Sequence, residues 1–118
     1  MFIYPDEVKR QIERINKKRQ SIMEKPKNDI NAYKMYMLLS QEAELRVFTI
    51  TQMINEGIAD HEDQKVKKEY LFWANKLFWS LDGIKDKMPS ISNKDSEAVL
   101  IDLNEWDYLL NWIINSDN

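Results

Sequence analysis

The chain has 118 residues, 43% of them apolar and 31% charged, with a formal net charge of −3 and no cysteine. That length suits one domain able to bury roughly 65% of its unfolded surface. The composition excludes a disordered chain, and the missing thiols exclude disulfides, thiolate catalysis and zinc–thiolate sites. No apolar run approaches the roughly 20 residues that a membrane helix needs. The amino terminus, Met1 to Glu7, lacks the basic and apolar segments of a secretory signal. A cytoplasmic location is therefore expected. Two glycines and three prolines are too few for a turn-rich β architecture, so the expected fold is all-α. Lys, Ile and Asn supply 36 residues against five alanines, a bias pointing to an AT-rich bacterial, phage or mobile-element genome.

Charge is unevenly distributed. Residues 1–34 carry nine basic and five acidic side chains, whereas residues 89–118 carry one lysine and six acids. Such asymmetry can steer association or pair the two ends of the chain.

A first helix is expected from about Pro5 to Glu24, because proline is tolerated in a first turn and Asp6 and Glu7 favour its positive dipole end. Val8, Ile12, Ile15, Ile22 and Met23 share a narrow face that Arg19 interrupts. Arg10, Arg14 and Lys17 form a basic ridge, partly compensated by Asp6 and Glu13 four residues earlier, and read most simply as a solvated surface. Pro26 ends the helix.

The second helix is expected to start at Asp29 or Asn31, either able to cap free amides, and to reach Glu56, with Gly57 as its left-handed stop. Ala43, Val47, Ile50, Ile54, Tyr36, Leu39, Met35 and Met53 make an apolar arc approaching half the circumference, with Leu38 and Leu45 outside it. An arc this wide suits a central helix. Arg46 interrupts an apolar face, as Arg19 does, and each requires a carboxylate or a route to water. Glu97, Asp102, Glu105 and Asp107 are the expected partners, which would account for the charge asymmetry.

The third helix is expected to open in the acidic turn Asp60-His61-Glu62-Asp63 and reach about Leu81, with Gly83 as its stop. Val66, Tyr70, Trp73, Leu77, Leu81 and Ile84 form the stripe expected to meet the core. Phe72 and Trp79 fall near the opposite side, with Leu71 and Phe78 on another flank, so the helix carries more apolar surface than one face can bury. A polar connection over 85–98 follows. Val99-Leu100-Ile101 suggests a short extended segment near 99–102, and Asn104 or Asp102 can cap a shorter last helix bearing Trp106, Leu109, Leu110 and Ile113. The expected architecture is one domain over 1–118, an antiparallel bundle of three long helices plus this shorter one.

Motifs for catalysis are missing. His61 is the sole histidine, and on a helix the side chains of His61, Glu62 and Asp63 diverge by about 100° per residue, so they cannot converge on one ion. Glu-x-x-His does not occur before it. Glu42 and Glu44 are two apart, unlike the three-residue spacing of the magnesium motif in all-α nucleotide pyrophosphatases. No phosphate loop or nucleophile elbow is present. Ser40 and Ser80 lie inside helices without a base at usable spacing. A non-enzyme with no cofactor and no metal is expected.

The functional signal is the face of the third helix where Lys65, Lys68, Phe72, Lys76 and Trp79 align. Rings among cations can anchor a protein interface or stack nucleic-acid bases. The competing structural reading has both rings packed on the fourth helix, with lysine stems over them. The acidic total charge disfavours nucleic acid. The expected function is a protein-binding module, a small regulator or inhibitor that occupies a partner's surface. A nucleic-acid binder using this face and an oligomeric assembly subunit are the alternatives, and a two-fold homodimer is the simplest self-association. The acids at Asp95, Glu97, Asp102, Glu105 and Asp107 also suggest imitation of a nucleic-acid backbone.

Overall fold

The computed structural model describes residues 2–87, which form three helices: α1 (Asp6–Met23), α2 (Asp29–Asn55) and α3 (Gln64–Lys87). No strand occurs among the described residues. The extended segment near 99–102, the last helix and the carboxyl-terminal extent of the domain all lie outside them.

Local chemistry sets the helix ends. Pro5 caps α1, and Asp6 and Glu7 occupy its first turn. Asn28, rather than Asp29 or Asn31, caps α2 by accepting from the Asn31 amide at 2.9 Å. The reason is register, since a cap oxygen must reach the amide two or three residues ahead. Gly57 closes α2 as expected, at φ +74°. Its amide donates to Ile54 O and that of Ile58 to Met53 O, the paired bonds of a Schellman ending.

The start of α3 departs from expectation. The acids of 60–63 precede the helix: Asp60 accepts from the Glu62 amide, and Asp63 from the Lys65 amide at 2.8 Å. Side-chain acceptance of this kind offers the backbone an alternative to helix until Gln64. Gly83 does not stop α3, which continues to Lys87. The ring of Tyr36 lies against Gly83, where the absent Cβ leaves it room.

α2 packs against both α1 and α3. α3 retraces α2 in the opposite direction, because Arg46 meets Glu69, Tyr36 meets Gly83, and Asp29 meets Lys87. Lying between two neighbours makes burial on α2 almost circumferential. Leu38 and Leu45, expected outside its apolar arc, are instead fully buried with Tyr4, Val8, Ile12, Ile15, Ile50 and Val66. Met23, expected on the core face of α1, is exposed, whereas Ile22 in the same last turn packs against that cluster.

The buried side of α3 is rotated from the expected stripe. Val66 and Ser80 are buried, and Trp73, Leu77 and Ile84 are half-buried, whereas Tyr70 and Leu81 are exposed. The small side chain of Ser80 lets α3 approach α2 closely, and its hydroxyl is satisfied by Leu77 O at 2.8 Å. Tyr70 and Leu81, on the far edge of the stripe, are thereby turned outward.

Candidate docking surface

A buried ionic network positions α3. Arg46 Nε donates to Glu42 Oε2 at 2.9 Å, and its Nη1 reaches Glu69 Oε1 at 3.5 Å. The guanidinium lies 4.3 Å from the centre of the Trp73 ring and 4.9 Å from that of Tyr4. Glu69 also accepts from the Tyr4 hydroxyl at 2.8 Å and from Trp73 Nε1 at 3.0 Å. Glu42, only 3% exposed, accepts in addition from Arg19 Nη1 of α1 at 2.9 Å. Cations between rings and carboxylates in low dielectric make strong, directional contacts. Among the described residues, Arg19 and Arg46 pair with Glu42 and Glu69, while the expected partners Glu97, Asp102, Glu105 and Asp107 lie outside them. Glu42 could be matched to Arg46 from sequence by its i,i+4 spacing, but the convergence of Arg19, Glu69 and Tyr4 could not.

Burial pushes the Tyr4 hydroxyl far above the ordinary phenol range, opposed by the hydrogen-bonding Arg46 and reinforced by Glu69. Burial also raises Tyr33.

With Trp73 held inward, Phe72 and Trp79 face out, at 52% and 56% exposed. The fourth helix on which the competing reading packs them lies outside the described residues. Lys76 Nζ lies 5.3 Å from the centre of the Phe72 ring and 5.7 Å from that of Trp79, so one cation bridges both. Trp79 is braced from beneath by Tyr36, edge-on with centroids 5.2 Å apart, and Phe72 meets Trp73 similarly at 5.2 Å. Lys65 and Lys68 are exposed on the first turns of α3. The structure thus brings Phe72, Lys76 and Trp79 together, with Lys68 one turn before Phe72 and Lys65 one turn before Lys68. Leu71 and Phe78 are exposed as well, at 60% and 70%.

Other groups converge less. His61 is exposed beside Asp60 and Glu62, and no metal-binding cluster of His, Asp or Glu occurs among the described residues. Arg10 of the basic ridge pairs with Glu7 at 2.6 Å, and Lys9, off the ridge, approaches Asp6 at 3.9 Å. Ser40 and Ser80 hydroxyls donate to backbone carbonyls of their own helices. An apolar cleft of about 470 Å³ lies where α1 turns into α2, lined by Ile22, Met23, Pro26, Ala32, Met35 and neighbouring residues. No described helix is long and apolar enough to cross a membrane. Comparison with protein-family models, curated proteins and solved structures finds no match for this chain.

Proposed function

We propose that the protein is a non-catalytic binding module, a small regulator or inhibitor that acts by covering a partner protein's surface with the outer face of α3. The observation that carries this reading is the exposure of Phe72 and Trp79 on a helix whose inner face is locked by Trp73, Glu69 and Arg46. Large rings held out in water are poorly placed for folding but well placed for association, where aromatic anchors contribute disproportionately. Bracing by Tyr36 and Lys76 restrains the rings before binding and reduces the ordering cost of association.

The test is capture of partners from bacterial lysate by the wild type and by the double variant Phe72→Ala with Trp79→Ala. Loss of capture with an unchanged helical circular-dichroism spectrum is expected. Unchanged capture, or collapse of the helical signal, counts against the reading. The same lysines and rings could serve single-stranded nucleic acid. That outcome would show as oligonucleotide binding that weakens steeply as salt rises.

A further inference from the structure

We infer that the first occupant of the outer face of α3 is a second copy of the same chain, docked antiparallel about a two-fold axis passing beside Asn75. The inference rests on the docking role proposed above and names its partner.

The warrant is the order of side chains along α3. Gln64, Lys68, Leu71, Asn75, Phe78 and Asp82 follow one another at alternating spacings of four and three, so they average the helical repeat of about 3.6 and form one straight line. Every one of them is exposed, as are Phe72 and Trp79 beside the line. Four-three spacing is the seam along which two helices pack.

Taken with Phe72 and Trp79 beside it, the strip from Lys68 to Asp82 is also symmetric about Asn75. Asn75 is the midpoint, and equal steps outward reach Leu71 and Phe72 on one side and Phe78 and Trp79 on the other. One step further lie Lys68 and Asp82, a cation towards the start and an anion towards the end. A two-fold interface presents one patch to itself, so it needs this pattern. With two helices antiparallel about residue 75, Leu71 and Phe72 of one copy meet Phe78 and Trp79 of the other, Leu71 level with Trp79 and Phe72 level with Phe78. Lys68 falls opposite Asp82 at both ends. A parallel arrangement would set Lys68 against Lys68 and Asp82 against Asp82.

Asn75 then meets its own equivalent at the axis. An amide carries both donors and an acceptor, so two related copies can satisfy each other. A polar residue set between the apolar positions 71–72 and 78–79 costs stability and selects one register.

The experiment uses the full chain, which contains no cysteine, so a single introduced thiol is unambiguous. Wild type is expected to show a concentration-dependent dimer by sedimentation equilibrium. Asn75→Cys is expected to oxidise to a disulfide-linked dimer, whereas Thr51→Cys, exposed on α2, is expected to stay largely monomeric. Lys68→Asp and Asp82→Lys are each expected to weaken the dimer about tenfold, because two attractions become two repulsions. An equimolar mixture of those variants is expected to restore it as a mixed dimer, since both end pairs are then opposite in sign.

A monomer at every concentration overturns the inference, as does a dimer in which Asn75→Cys does not cross-link or the mixture does not recover. Failure here and failure of the docking reading remain distinct. A monomeric wild type whose partner capture still depends on Phe72 and Trp79 sinks only the self-pairing. A dimer indifferent to alanine at both rings, with partner capture likewise unchanged, sinks both.

Discussion

A Cβ placed on Gly83 would lie 2.5 Å from Cδ1 of Tyr36, so the glycine is the notch into which that ring fits. Tyr36 in turn supports Trp79 edge-on, which links a glycine in the helix interior to the exposed ring one turn before it.

Gly83→Ala pits two effects against each other. Alanine favours helix over glycine by up to about 1 kcal/mol, whereas overpacking costs about 1–3 kcal/mol. The near ring atoms of Tyr36, not a flexible tip, are what the methyl would meet, so the steric effect should win. Thermal melting is expected a few degrees lower. Adding Tyr36→Ala should make the glycine substitution nearly neutral, and a raised melting temperature in the single variant would refute the fit.

Removal of Glu42 takes from Arg19 its carboxylate partner and leaves Arg46 with Glu69. The Glu42 carboxylate is shared by Arg19 and Arg46, and breaking a buried pair costs about 3–5 kcal/mol. Both arginines keep some access to water, which places Glu42→Ala nearer the lower end. A urea midpoint shifted down with unchanged slope is the expected signature.

Alkaline pH should destabilise the protein through Tyr4. Its folded-state pKa lies above the unfolded value near 10, so its contribution is complete below that value and is lost as pH rises through the folded pKa. A spectroscopic tyrosine titration should show Tyr33 and Tyr4 ionising later than the exposed phenols, with a last component, from Tyr4, that coincides with unfolding. Tyr4→Phe should remove that late component and weaken the attachment of the amino-terminal segment to Glu69.

Gly57→Ala tests the end of α2. A non-glycine residue at φ +74° costs about 1–2 kcal/mol, and open space around the position means that no packing compensates. The expected loss in denaturant melts is therefore of that size. Asn, which tolerates the left-handed region better, should cost less at the same position.

The sequence alone disclosed most of the helical skeleton. Apolar periodicity placed three helices to within a few residues at nearly every end, because period and cap chemistry are local. Gly57 was legible since a helix followed by glycine has one common ending. Gly83 misled because the same residue can end a helix or admit a neighbour, and only Tyr36 distinguishes those roles. Likewise, the placement of Phe72 and Trp79 opposite the core stripe followed from spacing, whereas whether another element covers them did not. That Tyr70 and Leu81 also face outward depended on how closely α3 lies against α2.

What the residues dictated without coordinates was therefore an α-helical chain, its breaks, and a third helix with surplus rings. Periodicity and capping act over four or five residues and need no distant partner. Tertiary structure alone decided that Glu42 also receives Arg19 and that Arg46 reaches Glu69, that Leu38 and Leu45 are buried, and that Tyr70 and Leu81 stay in water. Those outcomes depend on the rotation and closeness of one helix against another. Such quantities arise from contacts between residues more than twenty positions apart.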